Sequence, residues 1–273
     1  MPTANVNGVR LFYELSGNGE IPLVFVHGSW GSHRQWDTVV QRLAESFRVL
    51  AYDRRGHSQS QRPAGQGSIR EDVADLAALI EYLGLAPAWI AGNSSGASIT
   101  LRLAVERPEL FRGLIAHEPP LFSLLAHDPD AAPMLGEVRR RIDAVVKRSA
   151  SDGHAAAAEQ FVETIALGPG TWAQLPPDDQ QTYIENAPTF LDEALDPELL
   201  AFDLEWIKTF SRPSLLTKGE KSPPTFAPVV AKLAGVLPNV EVVMYPGAGH
   251  IPHATHPDAC VERITAFIRK NTA

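Results

Sequence analysis

The chain has 273 residues, with 24 basic against 32 acidic side chains and a formal charge of −8. That length buries a sizeable core without disulfides, and the acidic balance argues against binding nucleic acid or an anionic membrane surface by charge. Cys260 is the only cysteine, which excludes an intrachain disulfide and a multi-cysteine metal site.

The opening, "MPTANVNGVRLFYELSG", has no basic patch followed by an apolar core, and no apolar run approaches the roughly 20 residues that span a bilayer. The expected setting is the cytoplasm. Two short strands are predicted around Asn7-Gly8, a favoured hairpin pair. "IPLVFVHG" is an apolar run of buried-strand length, "QWDTVVQRLAESF" has helical spacing at Trp36, Val39, Val40 and Leu43, and "FRVLAYD" is again a buried strand. "SIREDVADLAALIEYLG" carries a capping box at Ser68 and Glu71, and Gly84 suits its end. "AWIAG" and "RGLIAHE" are strands on either side of a helix that begins at Ser94 or Ser95.

From there to about Ser211 the pattern turns to helical pieces, among them "MLGEVRRRIDAVVKR", "HAAAAEQFVETIAL" and "PDDQQTYIENA". Alternation resumes with "PSLLTKGE", a helix near "APVVAKLAGVL", the strand "VEVVMYPG", and a last helix with Pro257 at its first position. This order predicts an α/β fold: a mostly parallel sheet with helices on both faces, made of residues 1–120 plus 211–273, and an inserted helical cap over residues 121–210.

The chemistry concentrates at "AGNSSGA". Two glycines at G-x-S-x-G spacing let the chain reverse from strand to helix, lift the Ser94 hydroxyl clear of the sheet and point the Ser95 amide, at a helix N-terminus, at whatever Ser94 attacks. A serine hydroxyl is a weak nucleophile near neutral pH and needs a base that is itself oriented. Nine histidines compete for that role. His250 is favoured because Gly247 and Gly249 allow a tight loop directly off a strand, whereas His253 and His256 read as loop histidines. No metal constellation is visible and no G-x-G-x-x-G follows a strand, so no cofactor is expected.

These segments resemble the α/β-hydrolase family over nearly the whole chain. "VFVHGSWG" is similar to its oxyanion loop, "AYDRRGHSQS" to its next strand and turn, "GNSSGA" to its nucleophile elbow and "YPGAGHIPH" to its histidine loop. The resemblance implies a serine hydrolase with Ser94 as nucleophile, His250 as base, and the backbone amides of Ser95 and Ser29 as oxyanion donors. His27 and His57 are expected to brace their own loops.

The acid departs from the family's commonest pattern. Where most members carry an aspartate after "PSLLTKGE", this chain has Ser222, and Glu220 lies too early. "LIAHEPPLF" offers Glu118 at the end of the preceding strand, with Pro119 and Pro120 fixing the chain behind it. Together with "GNSSGAS" this is similar to lactone hydrolases of the zearalenone lactonase type. The expected partner is a small, moderately apolar ester or lactone, with Trp30 and Trp172 as the candidate substrate contacts. Asn93, beside the nucleophile, is also found in carbon-carbon bond hydrolases, and a non-catalytic receptor on the same fold is a third reading. The sequence leaves the oligomeric state open, a homodimer included.

Overall fold

The computed structural model describes residues 2–272. The chain starts with a hairpin, β1 (Thr3–Val6) and β2 (Val9–Ser16), whose turn places Asn7 and Gly8 at φ of 46° and 74°. Positive φ at both turn residues is what a two-residue hairpin with the right twist requires. β3 (Pro22–Val26), α1 (Asp37–Leu43), β4 (Arg48–Tyr52), α2 (Ile69–Tyr82), β5 (Ala88–Asn93), α3 (Ser95–Glu106) and β6 (Phe111–His117) follow in alternation. After a helical stretch come β7 (Ser214–Gly219), α8 (Phe226–Ala234), β8 (Val240–Tyr245), α9 (Pro252–Thr255) and α10 (Pro257–Lys270).

The eight strands form one sheet in the order β1-β2-β4-β3-β5-β6-β7-β8, parallel from β4 to β8 and antiparallel at the β1–β2 edge. β3, β5 and β6 lie in the middle, so their C-terminal ends converge and bring the segments around Gly28, Ser94 and Glu118 together. β5 is buried at every residue, as a strand covered by helices on both faces must be. One core layer packs α2, α3 and α8 on the sheet; the other packs α1 and α10 on Leu23, Phe25, Trp89 and Leu215.

Several boundaries differ from the sequence reading. The helix expected from Gln35 opens as a 3-10 turn over His33–Trp36, and α1 begins only at Asp37. The capping box of α2 forms in both directions between Ser68 and Glu71. β8 is an edge strand with Val242 and Met244 exposed.

Between β6 and β7 the chain is helical: α4 (Ala132–Asp152), α5 (His154–Phe161) continuing into a π-helical turn at Val162–Ala166, α6 (Pro177–Leu195) and α7 (Leu204–Ile207). α6 runs through Pro188, well past the stretch read as helical. Its buried face beyond the proline, Thr189, Phe190 and Glu193, is tied to the core, and that tertiary packing outweighs the backbone bond lost at the ring. The helices share a small core of their own, in which Val145, Ala157, Phe161, Val162 and Phe190 surround Trp30.

Candidate active site

Ser94 follows β5 in a strained conformation, φ 55° and ψ −125°, as the N-cap of α3. A non-glycine residue at positive φ costs energy, which the surroundings must offset. The two elbow glycines show why the turn needs them: a Cβ on Gly92 would run into the carbonyl of Gly96, and one on Gly96 into the carbonyls of Val26 and His27. The Ser94 amide donates to the His117 carbonyl at 2.9 Å, pinning the elbow to β6.

Glu118 follows β6 at φ 46° and is wholly buried. Its Oε2 lies 2.6 Å from Nδ1 of His250, and its Oε1 accepts the backbone N–H of Gly219 at 2.7 Å. Burial alone would push this carboxyl up, but the hydrogen bonds and charges of His117 and His250 hold it well below the usual carboxylate range. An ionised acceptor places the His250 proton on Nδ1 and leaves Nε2 with a free lone pair. The His250 ring stacks on Phe226 with centroids 4.4 Å apart and planes at 15°, and its backbone carbonyl accepts Nδ2 of Asn93 at 3.0 Å.

His117 adds a second imidazole to this carboxylate, with Nε2 3.4 Å from Glu118 Oε2 and Nδ1 2.9 Å from the Thr217 hydroxyl. His117, Glu118 and His250 thus place three ligand-type atoms within 4.8 Å of one another. A metal ion there would have to displace the direct bond between Glu118 and His250.

Ser95, the first residue of α3, is fully buried with its amide among those a helix leaves unpaired. Its hydroxyl accepts from Ser29 Oγ at 3.1 Å and from Arg54 Nη1 at 3.1 Å. Arg54, 1% exposed, also grips Asp72 through two nitrogens at 3.1 and 2.7 Å and reaches Glu193 on α6 at 3.0 Å. His27 bonds the Gly28 carbonyl through Nδ1 at 2.8 Å and accepts the Arg54 amide on Nε2 at 3.0 Å; burial, with help from the Arg54 charge, pushes its pKa down to about 3. His57 braces its turn through the Arg55 carbonyl at 2.9 Å and meets the Thr189 hydroxyl at 3.0 Å. Both histidines are structural linkers.

A cavity of about 230 Å³ lies between the sheet and the helices above it, lined by Ser29, Ser94 and His250 below and by Phe161, Ile165 and Phe190 above. A smaller one, about 50 Å³, sits among the charged residues of the loop before α2 and the end of α6, away from Ser94.

Neither tryptophan candidate lines the larger cavity. Trp30, at φ 64° and 1% exposed, stacks on Phe161 at 4.8 Å and 16° and is tilted against Phe190, so its ring fills the core behind the wall. Trp172 packs edge-on to Tyr183 at 6.5 Å, and it is Tyr183 that reaches the cavity. His253, read as a loop histidine, instead lies on α9 and is 1% exposed, with its ring 4.3 Å from Trp36. Glu220 caps the Gly247 amide at 2.7 Å in an exposed loop, and the buried Ser222 hydroxyl has no hydrogen-bond partner among the described residues. His117, Gln35, Arg54 and Phe226 were not singled out from the sequence for the site; only the adjacency of His117 to Glu118 could have suggested one of them.

The profile of the alpha/beta hydrolase family matches residues 23–263. An uncharacterized hydrolase of Bacillus subtilis, YraK, is 36% identical over 125 residues, which cover 45% of this chain and 46% of that protein. The chain thus aligns with about half the length of that relative. A 2-(acetamidomethylene)succinate hydrolase of Mesorhizobium japonicum is 25% identical over 282 residues, 97% of this chain and 93% of that one. The enol-lactonase of Burkholderia xenovorans LB400 superposes with a TM-score of 0.79 at 20% identity, covering 98% of this chain and all of that one, and so shares its fold. Among the described residues no helix is long and apolar enough to cross a membrane. With its eight-stranded sheet and a profile match over most of its length, the chain belongs to the alpha/beta hydrolase family.

Proposed function

We propose that this chain is a serine hydrolase that opens an ester or lactone of a moderately apolar small molecule through an acyl-enzyme on Ser94. The observation that carries the reading is the 2.6 Å bond between Glu118 and His250, directly beneath an apolar cavity that Ser94 and His250 both line. Ser94 Oγ attacks the carbonyl carbon while Nε2 of His250 takes its proton. The resulting imidazolium is held by the buried Glu118 carboxylate. The oxyanion is received by the backbone amides of Ser95 and Ser29, a preset pair of donors that together supply several kcal/mol, on the order of the roughly 2.7–4 kcal/mol known for a single donor or more.

His250 then protonates the leaving alkoxide, the C–O bond breaks, and a water molecule repeats the sequence to release the acid. In a lactone the alcohol stays tethered until this second step. Placing the acid on Glu118, after β6, supports the likeness to lactone hydrolases, and the enol-lactonase neighbour is a member of the same fold acting on that bond type. For carbon-carbon cleavage the sequence argument was Asn93. Its side chain is 1% exposed and bonded to the His250 carbonyl and to Gln35, which gives it a scaffold role.

The test is turnover of p-nitrophenyl butyrate and a panel of lactones by the wild type and by Ser94→Ala. A burst of nitrophenol equal to the enzyme concentration and a loss of at least about a thousandfold in kcat for Ser94→Ala are expected. Retained turnover in the variant would overturn the assignment, and the absence of any nitrophenol release by the wild type would favour a receptor.

A further inference from the structure

The hydrogen-bond polarity around Gln35 is set by a group that can only accept. The backbone carbonyl of His250 takes Asn93 Nδ2, which turns Asn93 Oδ1 toward Gln35, where it receives Nε2 at 3.1 Å. The same Nε2 lies 2.9 Å from Nε2 of His253. An amide nitrogen only donates, so that imidazole nitrogen accepts. His253 suits this role: burial holds its pKa well below the ordinary value, and it stays neutral. Both amide hydrogens of Gln35 are therefore committed inside the protein.

What remains is Oε1. Gln35 lines the cavity beside Asn93 and Ser94, and its Oε1 accepts no hydrogen bond among the described residues. Two other polar groups on the wall have partners within the protein: Thr164 donates to the Gln160 carbonyl at 2.7 Å, and Arg141 is paired with Glu137 at 2.7 Å. The rest of the wall near the serine, including Phe122, Phe161, Phe190 and Phe226, is apolar.

A substrate that fills this cavity strips water from Oε1, and an acceptor left dry costs free energy unless the substrate supplies a donor. We infer that Gln35 is a specificity-determining residue, and that the preferred substrates are esters or lactones bearing a hydroxyl or N–H donor within a few atoms of the scissile carbonyl. This rests on the reading of Ser94 as an ester-cleaving nucleophile. Gln35 cannot reward a substrate acceptor, because it has no hydrogen left to give.

The experiment compares p-nitrophenyl butyrate with its 2-hydroxy and 3-hydroxy analogues in the wild type and in Gln35→Met. The readout is the ratio of kcat/KM for hydroxy over plain ester, in which intrinsic reactivity and the folded fraction of each preparation cancel. For the better hydroxy ester, the wild-type ratio should exceed that of Gln35→Met by about tenfold, the size of one hydrogen bond. The methoxy analogue of that ester, tried on the wild type alone, should lose the advantage, which keeps the test valid if Gln35→Met does not fold. Equal ratios in both proteins, or a methoxy ester as good as the hydroxy ester, overturns the inference while leaving Ser94 untouched. Failure of the wild type on all these esters overturns the ester reading itself.

Discussion

The carboxylate of Glu118 bridges two loops, taking the Gly219 amide on one oxygen at 2.7 Å and His250 on the other at 2.6 Å. Glu118 leaves the end of β6 but bonds the last residue of β7, so it reaches the histidine across the neighbouring strand. Gly219 permits this: a Cβ there would meet the Ala248 carbonyl at 2.6 Å and the Ser222 hydroxyl at 2.6 Å. The position beside His250 is filled from β6, and nothing further is required of Ser222.

Glu118→Gln should therefore keep the shape but remove the charge that stabilises the imidazolium, at a cost on the order of a hundredfold or more in kcat. Ser222→Ala should cost almost nothing, and Glu220→Gln only a little. Ester hydrolysis by the three variants, with circular dichroism to establish folding, gives the ordering. Greater damage from Glu220→Gln than from Glu118→Gln would move the acid to β7.

A second expectation concerns Arg54, which holds Asp72 on α2, Glu193 on α6 and the Ser95 hydroxyl with one buried guanidinium. Arg54→Met strands carboxylates that are almost wholly buried. The loss should be about 3–5 kcal/mol in unfolding free energy. Combining it with Asp72→Asn and Glu193→Gln, which removes the stranded charges, should recover much of that loss in urea unfolding. A triple variant no more stable than the single one would show that the charges are not the cause.

The tryptophans give a third test, because the structure separates their roles. Trp30→Ala empties a buried, stacked site and should destabilise the protein by about 3–5 kcal/mol. Trp172→Ala, one ring removed from the cavity behind Tyr183, should leave the turnover of a short acetate ester within about twofold of the wild type and weaken thermal stability only modestly. A large kcat loss in a folded Trp172→Ala protein would place that ring in contact with substrate after all.

The fourth follows from His27, whose folded value is lowered from 6.5 to about 3. Above the ordinary value both folded and unfolded chains are neutral at this ring, and it adds no pH dependence. As pH falls below 6.5 the unfolded chain takes up a proton that the folded chain refuses, so stability declines down to about 3. The slope from one such site is about 1.4 kcal/mol per pH unit. Urea midpoints at pH 7.5 and 4.5 should differ less in His27→Gln than in the wild type; equal differences would mean that His27 is already charged in the folded state.

Features written in short stretches of chain were legible in advance. Asn7-Gly8, the Ser68–Glu71 capping box, the G-x-S-x-G elbow and Pro257 each depend on neighbours a few residues away, and each forms as its local chemistry requires. The location of Glu118 at a strand end was readable for the same reason. What escaped depends on distant partners. Gln35 meets His253 across 218 positions and Arg54 meets Glu193 across 139, and no periodicity encodes such pairs. Trp30 is expected at the substrate, but its ring stacks into a core supplied by residues more than a hundred positions later.

That arrangement of Trp30 also limits how the family's roofs can be exchanged. Its ring is stacked into the helices over the cavity, and Asn186 of α6 donates to the carbonyls of Trp30 and Gly31 at 3.2 and 2.8 Å. The helices over the cavity and residues 29–31 are therefore one mechanical part. Grafting the helices of a relative onto this sheet to change its substrate would pull the Ser29 amide out of register unless residues 29–31 travelled with them, and the graft is best cut so that loop and roof come from the same donor.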